Sequence, residues 1–224
     1  MLKRFAALLI GLAAVSAVHA QETWEAGKHY FAVEPPQTTQ TGDKIEVLEV
    51  FSYACPACNQ FRPFADKIKA ALPANAQMRY LPAAFRADED WPVFQRAFFA
   101  ADALGVVDKT HNAMFDAIWK DGTLKITDPV SHKIVNPLPT IDDVAKFYAN
   151  YGVKAEDFVG AANSFAVNTK MKRADAQIKA YGVDSTPTVI VNGKYRVTAV
   201  SAGGWDKVQP LVTYLVARES QAAK

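Results

Sequence analysis

The sequence predicts an α/β domain interrupted by an inserted all-helical block, on three observations. β-rich segments flank one amphipathic helix between residues 45 and 81, helical periodicity dominates residues 88–180, and an Asn192-Gly193 hairpin signal returns the chain to strand before a closing helix. The expected order is β-α-β, helices, β-hairpin, α.

Residues 1–20, MLKRFAALLIGLAAVSAVHA, read as a cleavable secretory signal: Lys3 and Arg4, an apolar stretch from Phe5 to Val18, then small residues at Ala17 and Ala20. The stretch is shorter than the roughly 20 residues a spanning helix needs. No Cys follows the processing site, so a lipid anchor is not expected, and the fold starts near Gln21. HYFAV (29–33) is a candidate first strand. After a polar lead-in from Glu34 to Gly42, IEVLEVF (45–51) reads as a strand, its β-branched and aromatic run interrupted by Glu46 and Glu49. From Pro56 to Leu72, the spacing of Phe61, Phe64, Ala65, Ile68 and Leu72 predicts a helix, with a kink expected at Pro63. QMRYL (77–81) is the next strand.

In the middle, Trp91, Phe94, Phe98 and Leu104 mark one helix, and Met114, Phe115, Ile118 and Trp119 a second closed by Asp121-Gly122. Thr140 is a candidate cap for a third, with Asp142 and Asp143 in its first turn, and Gly152 stops it. A further helix is expected from Ala155 through Phe158, Ala162 and Phe165 toward Ile178. TVIVNGKYRVTAV (188–200) then forms a hairpin, and residues 203–220 a last helix with room for a break near Pro210. The boundaries drawn are 21–87 and 181–224 for a discontinuous α/β domain and 88–180 for the helical one.

With 224 residues, 50% of them hydrophobic, 12 Pro and 11 Gly, the chain is neither disordered nor a collagen-like repeat, and with two Cys it is no disulfide-stapled miniprotein. Its net charge is +2, and losing Lys3 and Arg4 with the signal leaves a formally neutral chain. Nucleic-acid binding by phosphate neutralisation is therefore not expected. An exported chain of this size needs no disulfide to hold its core, so the two Cys are free to be chemistry.

Cys55-Pro56-Ala57-Cys58 follows a predicted strand and opens a helix, the context in which CxxC reads as a redox pair. Unpaired N–H groups and the positive end of the helix dipole favour a Cys55 thiolate, which makes a good leaving group and a more oxidising disulfide. Cys58, one turn in, should be shielded and act as the resolving thiol. An inert disulfide would close too short a loop to restrain the unfolded chain much. A zinc site would need two further ligands from His29, His111 or His132, which lie in unrelated segments. Glu49, six residues before Cys55 in the same β-rich run, is a candidate buried carboxylate able to shuttle a proton to or from Cys58, with Arg79 as a candidate partner. Ionised, it would oppose the thiolate. Thr186-Pro187 precedes the late strand, and a cis bond there would hold a backbone edge beside the cysteines. His111 and His132 are expected at the surface.

Taken together, LEVFSYACPACNQF (48–61), the helical block, GVDSTPTVIVNGKY (182–195) and the export signal resemble the DsbA family over essentially the whole exported chain. The resemblance implies a thioredoxin fold with an inserted helical domain, a periplasmic location, and disulfide donation to reduced, unfolded exported polypeptides. It implies an attacking Cys55, a resolving Cys58, a cis Pro187 with Thr186 at the substrate or the active disulfide, and Glu49 as the buried acid. It implies a DsbB-like inner-membrane quinone-linked oxidase as electron acceptor, and no organic cofactor or metal. The chain is expected to act as a monomer. Two positions depart from the family pattern. Arg79 stands where relatives often carry Lys, and Arg does not readily give up its proton. Ala57 stands where they typically carry a His that stabilises the thiolate, so a higher Cys55 pKa and a less oxidising disulfide are expected.

Two other functions remain open on the residues. One is a periplasmic reductase or isomerase, its direction set by the upstream electron source. The other is a peptide-binding chaperone module gripping unfolded chains at a surface bordered by Tyr53, Thr186 and Thr188.

Overall fold

The computed structural model describes residues 23–222, so the expected export signal lies outside the described residues. Five strands, β1 (Phe31–Ala32), β2 (Ile45–Phe51), β3 (Ala76–Pro82), β4 (Thr188–Val191) and β5 (Tyr195–Thr198), form one sheet in the order β1-β5-β4-β2-β3. Helix α1 (Pro56–Ala71) connects β2 to β3, which pair in parallel, and the other pairings are antiparallel. Five helices are inserted between β3 and β4: α2 (Trp91–Ala103), α3 (Val107–Trp119), α4 (Ile141–Ala149), α5 (Ala155–Ala162) and α6 (Phe165–Ala180). α7 (Ala199–Ala202) and α8 (Trp205–Ala222) close the chain.

β2 is buried along its whole length, so its alternating side chains enter two apolar layers. Ile45 and Val47 pack with Phe61, Ala65 and Ile68 of α1 and with Leu211 and Leu215 of α8. Leu48 and Val50 pack instead in the core of the helical insert, with Phe94, Ala174 and Ile178. One strand thus serves both cores. Gln95 of α2 reinforces the junction by donating from Nε2 to the Pro82 carbonyl at 3.0 Å.

Local chemistry explains where elements begin and end. Pro63 lies inside α1, which continues without interruption; the Asn59 carbonyl that Pro63 cannot reach with a donor accepts from Arg62 Nε at 3.3 Å. Thr140 caps α4 through a reciprocal box with Asp143. The single helix expected from Ala155 to Ile178 is two. Ser164 breaks it by accepting from the Val167 N–H at 3.2 Å, and Phe165 is exposed instead of joining an apolar face.

The closing segment also differs from expectation. α8 runs through Pro210, and the break falls earlier, at Gly203 (φ 89°). Ala199 and Val200, expected in the hairpin, belong to α7, where Thr198 and Ser201 form a second capping box. The hairpin turn follows the sequence: Asn192 (φ 52°) and Gly193 (φ 65°) are both left-handed, and Lys194 N–H donates to the Val191 carbonyl. A Cβ on Gly193 would run into the Gln37 carbonyl oxygen, so the position requires glycine twice over.

Glu219 of α8 ties that turn down. Its carboxylate accepts from Asn192 Nδ2 and Lys194 Nζ, each at 2.6 Å, and from the Tyr195 hydroxyl at 3.0 Å. Glu219→Ala should therefore destabilise the fold by at least about 2 kcal/mol in denaturant unfolding, because charge-assisted hydrogen bonds are lost together.

Candidate active site

β2 ends at Phe51, and the chain turns through Ser52, Tyr53 and Ala54 into Cys55, the N-cap of α1. The turn closes on itself: Cys55 N–H donates to the Ser52 carbonyl at 3.1 Å, and Ala54 N–H to Ser52 Oγ at 3.2 Å. Pro56 takes the first helical position, where its missing N–H costs nothing. Both cysteines are free thiols. Cys55 is more enclosed than its expected role suggested, at 6% exposed, and Cys58 is fully buried. From the far end of the insert, the Thr186–Pro187 segment returns against them. That bond is cis, and Cys55 Sγ donates to the Thr186 carbonyl at 3.6 Å.

The two thiols are electrostatically split. Cys55 is pulled down to about 6, first by its hydrogen bond with the Cys58 thiol, then by Thr186 and by the N–H groups of Cys58 and Ala57, against the opposing effect of burial. The helix terminus contributes as expected, but the partner sulfur contributes more. Burial pushes Cys58 well above the ordinary thiol range, and Cys55 and Glu49 add to it.

Glu49 is buried beneath this pair, with its Oε2 making no hydrogen bond among the described residues. Burial first, then Asp66 and Cys55, push its carboxyl up to about 8. At neutral pH it is mostly protonated and offers the Cys55 thiolate little repulsion. Arg79 is not its partner. The parallel register sets Arg79 opposite Leu48 and Tyr80 opposite Glu49, so Arg79 and Glu49 lie on opposite faces of the sheet. Arg79 instead donates to Glu46 Oε2 at 3.0 Å and lines a cavity of about 410 Å³ shared with Lys170, Arg173 and Gln177 of α6.

Two further expectations are corrected. Tyr53 and Thr188 do not border the site as a surface; each is 1% exposed, Tyr53 because it packs into the insert and Thr188 because it opens a buried strand. Thr186 is half-buried. His111, expected at the surface, stacks on Tyr80 with centroids 4.1 Å apart and meets the Tyr53 hydroxyl at Nδ1, 3.0 Å away. Its position was signalled by spacing, since His111 lies three and four residues before Met114 and Phe115 on the apolar stripe of α3. His132 is exposed in the loop before α4.

A family described as Thioredoxin matches residues 41–208. The thiol:disulfide interchange protein DsbA of Pseudomonas aeruginosa is 36% identical over 217 residues, 96% of each chain. The chain belongs to the DsbA family. Its structure superposes on the crystal structure of P. aeruginosa DsbA with a TM-score of 0.75 at 36% identity, covering 89% of this chain and 96% of that one. Against oxidoreductase DsbA from Xylella fastidiosa the TM-score is also 0.75, at 32% identity and with 87% and 97% covered. As a DsbA-family member it is a periplasmic dithiol oxidase of thioredoxin fold, acting on exported polypeptides through an active-site Cys pair.

The raised Glu49 carboxyl has a thermodynamic consequence. A group whose folded pKa lies above its unfolded value contributes stability below the unfolded pKa, here 4.5, and loses it as pH rises through about 8. Glu49→Gln should therefore be more stable than the wild type by an amount growing from near zero at acid pH to on the order of 4 kcal/mol at about pH 8. Denaturant unfolding across that range measures the difference, and a gap independent of pH would contradict the buried, protonated carboxyl.

Proposed function

We propose that Cys55 is the sulfur that exchanges with substrate and Cys58 the resolving thiol. The split between the two thiols, with Cys55 at about 6 and Cys58 held well above the ordinary range, carries this reading. A substrate thiolate attacks Sγ of Cys55 in the Cys55–Cys58 disulfide. The S–S bond breaks, its electron pair leaves on Cys58, and Cys58 takes a proton. A second substrate thiolate then attacks the substrate sulfur of the mixed disulfide and expels Cys55 as a thiolate. The substrate loses two electrons and the enzyme holds them as a dithiol, which a DsbB-like quinone-linked oxidase in the inner membrane reoxidises.

The remaining residues have supporting roles in this scheme. Glu49, protonated at neutral pH and adjacent to Cys58 in electrostatic effect, supplies and recovers the resolving thiol's proton. Thr186 and Pro187 present backbone to the substrate beside Cys55, in keeping with the contact between Cys55 and the Thr186 carbonyl. Pro56 and Ala57 tune the pair. Ala57 contributes a backbone N–H to the thiolate but no side-chain charge, which makes the disulfide less oxidising than that of a relative with His there.

Oxidation of a reduced, unfolded protein and reduction of insulin, measured side by side, test the direction. Cys55→Ser should abolish oxidation, and Cys58→Ser should accumulate mixed disulfides through Cys55. Preferential insulin reduction would favour a reductase, and full activity in Cys55→Ser would leave only a peptide-binding module. Ala57→His should lower the Cys55 pKa and shift the glutathione equilibrium by about tenfold or more toward a stronger oxidant. An unchanged equilibrium constant would remove Ala57 from the account.

A further inference from the structure

We infer that His111 and Trp119, both on α3 of the helical insert, are positioning residues for thiol exchange, acting through Tyr53 on the turn that carries Cys55. The inference rests on the reading of Cys55 as the exchanging sulfur.

Tyr53 stands two residues before Cys55 and is held by the insert at both its side chain and its backbone. Its hydroxyl meets His111 Nδ1 at 3.0 Å, and its carbonyl oxygen accepts from Trp119 Nε1 at 2.8 Å. The two α3 residues are eight apart, so they lie on one side of the helix about 12 Å apart along its axis and bracket Tyr53. The ring of Tyr53 packs edge-on against Phe51 and Phe115, with centroids 5.0 Å away in each case. These contacts leave Tyr53 1% exposed, where an unpaired hydroxyl or carbonyl is costly.

The pairing is protonically steady. Burial, with Lys69 and Arg62 nearby, pulls His111 down to about 3, so the imidazole is neutral at working pH, and burial keeps the Tyr53 hydroxyl protonated. Neither side can lose the bond by titration near neutrality. α3 is itself fastened to α1: Arg62 Nη1 lies 2.8 Å from Asp116 Oδ1 and donates to the Asn112 carbonyl at 3.0 Å. α3 therefore grips both sides of Cys55, the turn before it and the helix after it.

The thiolate depends on this placement. The Cys58 thiol, the Thr186 side chain and the N–H groups of Ala57 and Cys58 all lower Cys55, and a small shift of the turn weakens them together. Among the described residues the His111 and Trp119 contacts are the hydrogen bonds that tie Tyr53 to groups outside the turn, since the two bonds centred on Ser52 are internal to it.

The test compares full-length wild type with Trp119→Phe, His111→Phe, Tyr53→Phe, the His111→Phe/Tyr53→Phe double variant and His111→Asn. Thiolate absorbance titration and equilibration with glutathione are read alongside melting temperature. Trp119→Phe and His111→Phe should raise the Cys55 pKa and shift the glutathione equilibrium constant by up to about tenfold toward a weaker oxidant. The double variant should shift no further than its larger single variant. His111→Asn, which offers an amide oxygen near the Nδ1 position, should recover most of the wild-type value. Lowered melting temperatures with unchanged thiol titration and unchanged equilibrium constants would reduce the contacts to a stability role and overturn the inference. A wild type lacking a low-pKa Cys55 would instead overturn the underlying reading. If Trp119→Phe fails to fold, the His111 and Tyr53 variants decide the question alone.

Discussion

Because β2 is buried on both faces, its two glutamates have no bulk water to solvate them, and they point into opposite layers. Each meets that cost differently. Glu46 Oε2 accepts from Arg79 at 3.0 Å and from the Gln40 N–H at 2.9 Å, so this carboxylate has charge-assisted partners in the layer toward the insert. Glu49 Oε2 makes no hydrogen bond among the described residues, and burial leaves the carboxyl holding its proton. A strand that would otherwise be pure core thereby carries a structural ion pair on one side and a protonated carboxyl on the other. One residue of register would exchange them, which is why the parallel pairing of β2 with β3 bears on the chemistry as much as on the fold.

The thiolate arises from a balance whose terms have opposite signs. Burial alone would raise Cys55, as it does Cys58; hydrogen bonds from the Cys58 thiol, Thr186 and the first N–H groups of α1 overcome it. Glu49 would oppose that outcome if ionised, yet its carboxyl at about 8 and Cys55 at about 6 let a protonated acid and a thiolate coexist at neutral pH. An ionised Glu49 would repel the thiolate, and at its ordinary pKa it would be ionised at neutral pH. Burial reverses the protonation state and removes the objection.

What was legible in the sequence was local. The strand before CPAC, the helix after it, the Asn192-Gly193 turn and the Thr140 cap each follow from periodicity or backbone chemistry within a few residues. The Ser164 cap is obscured because capping competes with the apolar spacing that continues through Phe165. The glutamate that Arg79 meets is Glu46 rather than Glu49 because pairing depends on register, which a single strand's pattern does not reveal. His111 is hidden for a different reason: histidine is usually exposed, although its spacing from Met114 and Phe115 places it on a buried stripe.

The insertion point accounts for why so much of the site is long-range. β3 ends beside β2, with Pro82 opposite Phe51, and β4 begins at the same end, with Thr188 opposite Val50. The chain therefore enters and leaves the helical insert at the end of the sheet where Cys55 sits. The entry is anchored there by the Ala83 N–H to the Phe51 carbonyl at 2.7 Å, and the return brings Thr186 to Cys55 across 131 residues of sequence. Any change in how the insert packs on β2 is thus transmitted to Cys55 from two directions, through the returning Thr186 carbonyl and through Tyr53. An insert on the opposite end of the sheet would have left the same CxxC motif with its helix terminus but without either contact.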